Sequence, residues 1–336
     1  MEKNKTNRIG YIDSMRGLCA IGVLLCHWAC VFSPGLYFPD KATSLFDVVW
    51  RGSPLNVITN GDIGVQFFFV CSGLLITQHI YNRKTEKSVG RHIVLKKYTS
   101  LLWIIVPAVL FSYALMKLGL MYHNELLKLD DKFSFLIDFN QFQPSLIGAF
   151  ADIGKTFVVG SSYNGLLWTM KHQLLGSLII TACTSWINSS MTSPKDRKLA
   201  YIFVSLPFIY LDYYLAGFFF GALVFECYYS MQEDNEILGR LIREVIENKV
   251  LKILVLCIGL YLACINCTPL TGIYSWLSSL QRANPVIRAT GIAIVLFIIM
   301  NSSKAQLLID KDILRWFGGL SPYIYAFHWP VILSLG

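Results

Sequence analysis

Charged residues are scarce in this sequence of 336 residues: they make up 15% of it, against about 25% in an average soluble domain. Hydrophobic residues make up 54%, more than a soluble fold of this size can hide beneath a wetted surface. The shortage of charge therefore excludes an ordinary soluble enzyme and a disordered chain. The net charge of +8 does not indicate a nucleic-acid partner, because the basic residues lie between long apolar runs.

Cysteine gives little sign of a metal centre or a disulfide framework. The nine cysteines are an odd number, and almost all lie in apolar runs, where cysteine is usually a small apolar filler. Cys264 and Cys267 form one CxxC pair, but no second pair follows, so we expect no metal. The sequence also lacks internal repeats and low-complexity tracts. We therefore expect a single membrane-embedded domain over residues 1–336.

Apolar segments of near membrane-spanning length are what the sequence has in abundance. A membrane helix needs about 20 mostly apolar residues, and nine segments approach this. They are residues 12–33, 61–80, 98–120, 168–188, 199–212, 213–230, 250–267, 286–302 and 317–336. The fifth is short and is separated from the sixth only around Asp212, so the two form either a tight hairpin or a broken pair. The predicted fold is an all-α polytopic bundle of about nine transmembrane helices.

Basic residues are divided unevenly between the connections of these segments. With the N-terminus in the cytoplasm, the inner connections carry roughly twice as many Lys and Arg residues as the outer ones, which the positive-inside rule favours. The longest outer connection, residues 121–167, is moderately apolar. Because long loops are often functional, we expect it to form a lid or a re-entrant segment.

The first segment carries polar groups that are costly in a bilayer and therefore indicate function. Asp13 and Arg16 lie at its inner end and His27 lies farther in. Helical geometry puts Arg16 and His27 on one face, about 16 Å apart along the axis. This arrangement suits a ligand with an anionic head at the cytoplasmic surface and a reactive end deep in the bilayer. Alternatively, Asp13 and Arg16 simply pair on the helix surface, and His27 is a satisfied core residue.

Five segments together carry a resemblance to known sequences. IDSMRGLCAIGVLLCHWA is similar to the pattern LDGLRGLAALLVVLFH, whose hallmark is an Arg, ten residues and a His, here Arg16 and His27. FFFVCSGLLIT (67–77) resembles FFVLSGFLIT, and RHIVLKKY (91–98) resembles an Arg-rich inner loop. LWTM (167–170) with the following LLGS resembles LWTLPVELxGS, and SPYIYAFHWPVI resembles SYSLYLIHWPVI. In this order they resemble acyltransferase family 3, integral membrane enzymes that modify sugars and glycans with acetyl or other short acyl groups.

The resemblance implies acyl transfer from cytoplasmic acyl-CoA, expected to be acetyl-CoA, to a hydroxyl of a sugar or surface glycan. The protein would then lie in the inner cell membrane, with acyl-CoA as a co-substrate and no bound cofactor. Arg91, Lys96 and Lys97 would bind the phosphates of the donor. Ser72 and Gly73 also belong to the expected donor site, although close helix packing is the commoner role of such residues.

The catalytic residues that the resemblance implies are His27, Arg16 and Asp13. His27 would act as general base or carry the acyl group transiently, while Arg16 would bind phosphate or pair with Asp13. The expected substrate-binding residues are Trp168, Gln173 and His328. Of the consecutive polar residues 171–173, at least one should face the protein interior.

Three features depart from the family's pattern. Gln173 stands where the family usually has Glu, and a neutral amide cannot act as a base. Lys96 and Lys97 stand where Arg is commoner, and lysine binds phosphate only as a point charge. The family usually has about ten spans, so the resemblance implies that a final helix is missing after Gly336.

Two other functions are compatible with the same residues. A transporter or flippase of a glycan or its precursor also needs intramembrane charges and a broken helix pair. A catalytically inactive relative would fit Gln173 and a missing helix, whereas Arg16 and His27 favour the enzyme.

Overall fold

The computed structural model describes residues 9–83, 88–129, 136, 140–231, 237–265 and 272–335. Within these ranges the chain forms α-helices and short 3-10 turns but no strand, so this part of the protein is all-α, as predicted. Cys267, the second half of the CxxC pair, lies outside the described residues.

The helices are numbered in chain order. They are α1 (Gly10–Phe32), α2 (Leu45–Arg51), α3 (Gly61–Asn82), α4 (Val89–Lys117), α5 (His123–Leu129), α6 (Leu146–Lys155), α7 (Thr169–Ser190), α8 (Pro194–Leu211), α9 (Tyr213–Ser230), α10 (Ile237–Glu247), α11 (Lys249–Ala263), α12 (Asn284–Met300), α13 (Ser303–Ile309) and α14 (Asp312–Leu335). Each of the nine predicted segments coincides largely with one helix, namely α1, α3, α4, α7, α8, α9, α11, α12 or α14.

Long apolar helices support an integral membrane protein. Among the described residues, α1, α3 and α4 are each long and apolar enough to cross a bilayer, and α12 with α13 forms a further candidate bent by 102°. The total of about nine spans and the cytoplasmic N-terminus stay predictions. The fifth and sixth predicted segments form a hairpin, because α8 ends at Leu211 and α9 begins at Tyr213. The Asp212 side chain caps α9 by accepting a hydrogen bond from the Tyr214 amide.

A buried ion pair ties the two arms of this hairpin together. The Arg197 Nε of α8 donates to both carboxylate oxygens of Glu226 in α9, at 3.0 and 2.9 Å. Both side chains are almost fully buried, and the guanidinium also lies over the rings of Tyr81 and Tyr229. The charge of Arg197 is therefore matched inside the bundle.

Helices α1 and α14 run in parallel and touch through glycine. A Cβ at Gly17 would lie 2.6 Å from the Leu314 carbonyl oxygen, and one at Gly318 would overlap the Asp13 carbonyl. Small residues allow such close helix approach. The first and last predicted segments are consequently neighbours, and His27 of α1 meets His328 of α14.

The connection 121–167, which is predicted to lie on the outer side, packs on the ends of these two helices where it is described. Leu126, Leu136 and Leu166 share a buried apolar cluster with Trp329 at the far end of α14. The Asn164 side-chain amide donates to the Ala326 carbonyl at 2.8 Å. Residues 130–135 and 137–139 of this connection lie outside the described residues, and its role as a lid stays a prediction.

Candidate active site

A cavity of about 600 Å³ lies between five helices, α1, α3, α4, α7 and α14. Its lining on α3 follows one helical stripe, because positions such as Val65, Ser72, His79 and Arg83 recur at the spacing of one helix face. Along this stripe the lining changes from charged to polar and then to apolar.

The charged end is open and cationic. His79 and Arg83 from the end of α3 and His92 and Lys96 from the start of α4 line it, and all four are exposed. Arg91, which sequence reasoning placed in the phosphate site, is exposed and is not among the lining residues. We refer to His79, Arg83, His92 and Lys96 as the cationic mouth.

Three members of the cationic mouth were not predicted from the sequence. His79 and Arg83 lie outside the motifs that carry the family resemblance, and His92 lies within RHIVLKKY (91–98) but was not among the residues expected to bind phosphate. The available signal was helical spacing, because a stripe extended from Ser72 reaches His79 after two turns and Arg83 after three. His92 lies one turn before Lys96 and is found by the same extension on α4.

The middle of the cavity is built around the amide of Gln173. Its Oε1 accepts a hydrogen bond from Lys97 Nζ at 2.7 Å and another from Ser72 Oγ at 3.2 Å. Lys97 takes part in no ion pair within the described residues. Its positive charge therefore meets a neutral partner where the family pattern would supply a carboxylate.

Arg16 also lines the middle of the cavity. Its guanidinium lies 3.2 Å from an Asp13 carboxylate oxygen, so the two predicted catalytic residues form an ion pair. Gly73 does not line the cavity. A Cβ at that position would overlap the Phe218 carbonyl of α9, so Gly73 permits the close contact of α3 with α9.

The inner end of the cavity is apolar and finishes at Tyr325. Phe68, Phe69 and Met170 line it together with Tyr325 and Thr169. The Thr169 hydroxyl donates to the Tyr325 hydroxyl, which in turn donates to the Leu166 carbonyl, both at 2.9 Å. The Tyr325 ring centroid lies 6.0 Å from that of His328. Tyr325 therefore stands between the cavity and the histidine pair.

The histidine pair has an ordered set of hydrogen bonds. His27 Nδ1 lies 2.9 Å from the Val23 carbonyl and 3.0 Å from His328 Nε2, and His328 Nδ1 lies 3.0 Å from the Ile324 carbonyl. Because a carbonyl only accepts, this network assigns a proton to each Nδ1. His328 Nε2 then accepts from His27. The Nε2 of His27 keeps its lone pair and is bonded to none of the described residues.

Trp168 and His172 lie in a separate aromatic cluster. The Trp168 ring centroid lies 4.8 Å from that of Tyr214, and neither Trp168 nor His172 lines the cavity. His172 Nε2 lies 3.2 Å from the Asp212 carboxylate, at the turn between α8 and α9. Of the consecutive residues 171–173, His172 and Gln173 are both buried, and only Gln173 faces the cavity.

Comparison with known proteins identifies the family of this chain. The sequence profile of a family described as an acyltransferase domain, Acyl_transf_3, matches residues 9–336. No curated protein and no solved structure matches the chain. The family match includes every helix that lines the cavity and both members of the histidine pair. The chain therefore belongs to acyltransferase family 3 and is a membrane acyltransferase.

Proposed function

We propose that the protein transfers an acetyl or other short acyl group from cytoplasmic acyl-CoA to a hydroxyl of a sugar or surface glycan in the inner cell membrane. The observation that carries this proposal is the cavity itself. It has cations at its open end, an apolar inner end, and beyond Tyr325 a histidine pair with one free ring nitrogen. These are the parts that an anionic donor with a long arm and a reactive acyl end requires.

The donor would enter through the cationic mouth. Lys96 at the mouth, with Lys97 and Arg16 in the middle of the cavity, would bind donor phosphates through charge-assisted hydrogen bonds. Arg16 precedes His27 by about 16 Å along α1, a distance that the pantetheine arm would cover. The apolar lining beyond Lys97 suits this arm better than it suits a second charged group.

His27 is the proposed general base. Its free Nε2 would take the proton of the acceptor hydroxyl while the hydroxyl oxygen attacks the thioester carbonyl carbon. The carbon–sulfur bond then breaks, the ester forms, and the CoA thiolate receives the proton from the His27 imidazolium. Protons and electron pairs balance without a metal or a redox partner.

His328 is proposed as a positioning residue rather than as part of the acceptor site. Its Nε2 accepts from His27 Nδ1, and this bond fixes both the tautomer and the ring orientation of His27. Asp13 is proposed to orient Arg16 through their ion pair. Trp168 is proposed to stack on the acceptor sugar. Its ring lies beside that of Tyr214.

Incubation of the purified protein with radiolabelled acetyl-CoA and a candidate glycan tests the proposed function. We expect label on the glycan with the natural sequence, loss of at least 100-fold in rate with His27→Ala, and little change with the control Trp28→Phe. Trp28 is an exposed neighbour on the same helix.

Other outcomes of this experiment would overturn the proposal. Full activity of His27→Ala would refute the role of His27. Binding of acetyl-CoA without transfer to any glycan would identify an inactive relative, and movement of a glycan across vesicles without transfer would identify a transporter.

A further inference from the structure

We propose that His79, Arg83 and His92 bind the 3′-phosphate of coenzyme A and thereby select complete CoA thioesters over donors that lack this phosphate. The inference rests on the proposed function and deepens it at the same cavity. It assigns a specificity role to three residues that were not among the expected donor-binding residues.

The three residues converge from two helices on one opening. His79 and Arg83 are one turn apart near the end of α3, and His92 lies in the first turn of α4. All three are exposed and line the same cavity. A phosphate monoester carries close to two negative charges at neutral pH and offers three acceptor oxygens. One guanidinium and two imidazoles can supply donors to such a group together.

The cavity separates its cations into two groups along its length. Lys97 and Arg16 lie at the level of Ser72, because Lys97 and Ser72 both bond to Gln173 and Arg16 lines the same region. Arg83 lies about 16 Å farther along α3 towards the opening.

Coenzyme A separates its phosphates in the same order. Its diphosphate is joined directly to the pantetheine arm, whereas its 3′-phosphate is on the ribose, at the far end from the thioester. If the thioester is directed towards His27, the diphosphate falls near Lys97 and Arg16. The 3′-phosphate then falls at the opening, where His79, Arg83 and His92 lie.

A phospholipid headgroup presents the same phosphate chemistry at a membrane surface. The two sources differ in what competes for the site. A headgroup bound by these residues would weaken donor binding in vesicles rich in anionic lipid, through competition that disappears when the residues are changed. If these residues bind the 3′-phosphate instead, the preference for the phosphorylated donor should be seen in neutral vesicles, where no anionic lipid is present.

The test compares equilibrium binding and steady-state transfer for acetyl-CoA and 3′-dephospho-acetyl-CoA in phosphatidylcholine vesicles. These donors share the diphosphate and the arm and differ only in the 3′-phosphate. For the natural sequence we expect at least 10-fold weaker binding of the dephospho donor, since hydrogen bonds to charged groups are individually strong.

Variants test whether the cationic mouth causes the difference in affinity between the two donors. Arg83→Gln combined with His79→Gln and His92→Gln should bind both donors equally, with the affinity of the natural protein for the dephospho donor. That unchanged affinity also shows that the variant is folded. The control Lys195→Gln removes an exposed charge from α8 outside the cavity lining and should keep the discrimination.

The inference fails if the natural protein binds both donors equally, or if the triple variant still discriminates. It also fails if Lys195→Gln abolishes discrimination, or if the variants of His79, Arg83 and His92 differ from the natural protein only in vesicles that contain anionic lipid. In each of these cases acetyl transfer itself continues. Absence of binding and transfer with both donors would instead refute the proposed function.

Discussion

Two cations within helices of this bundle, Arg197 and Lys97, have opposite surroundings. Arg197 contacts the carboxylate of Glu226 and is enclosed by neighbouring side chains. Lys97 contacts the amide of Gln173 and faces a cavity. An ionised group away from water is stable only with a charged partner or a ligand. The difference favours a structural role for Arg197 and supports the proposed role of Lys97 in binding an anionic ligand.

The largest expected effect is the loss of stability when Arg197 loses its carboxylate partner. Glu226→Gln leaves Arg197 with an unmatched buried charge and should lower the free energy of unfolding by about 3–5 kcal/mol. Thermal unfolding in detergent, followed by intrinsic fluorescence, measures the change. The control Glu125→Gln, at an exposed position on α5, should have little effect. An unchanged unfolding temperature for Glu226→Gln would mean that the pair is not structural.

Removal of the cation in the cavity should affect the ligand and spare the fold. Lys97→Met should raise the KM for acyl-CoA about 10- to 100-fold, because a charge-assisted hydrogen bond to phosphate is lost. Unfolding should change by less than about 1 kcal/mol, as expected where no folded-state ion pair is broken. Steady-state kinetics and the same unfolding assay measure the two effects. Loss of stability without a change in KM would mean that Lys97, like Arg197, has a structural role.

A carboxylate beside Lys97 should make its surroundings resemble those of Arg197. Gln173→Glu would give Lys97 the ionic partner that Arg197 already has and would compete with donor phosphate for its charge. We expect a rise of about 3- to 10-fold in KM for acyl-CoA, corresponding to about 1 kcal/mol. An increase in kcat with unchanged KM would show that the carboxylate of the family pattern acts in the chemistry.

The smallest expected effect concerns the hydrogen bond between His27 and His328. His328→Phe removes the acceptor of the His27 Nδ1 proton, although the Val23 carbonyl still accepts from it. We expect kcat to fall about 3-fold with little change in KM, since only the orientation of the base is affected. His328→Gln, whose amide oxygen accepts, should recover part of the loss. Equal losses in both variants, with unchanged pH profiles of kcat, would point to packing alone.

Apolar runs predicted the main helices because burial in a bilayer imposes its own length on a helix. They predicted the start of α4 less well, at residue 98 instead of Val89. The basic stretch at 91–97 is helical but too polar to count as apolar. The short helices α2, α5, α6, α10 and α13 were not predicted for a related reason, since none is a long apolar run.

The candidate site was only partly predictable from the sequence. Helical spacing placed Arg16 and His27 on one face, and family motifs pointed to Lys97, Gln173 and His328. The pairing of His27 with His328 depends on the contact of two helices at opposite ends of the chain, which no local pattern encodes. The exclusion of Gly73 from the cavity likewise follows from its contact with α9.

Because α1 and α14 are in close contact at their glycines, the distance between His27 and His328 depends on the angle between the two helices. Gly17 and Gly318 mark a close contact of the two helices, and His27 lies about 15 Å farther along α1. At that radius, a tilt of only about 2° moves the ring by about 0.5 Å, enough to lengthen the 3.0 Å bond to His328 beyond good hydrogen-bond range. Two residues without side chains thus govern the hydrogen-bond geometry of His27, the proposed base, about three helical turns away.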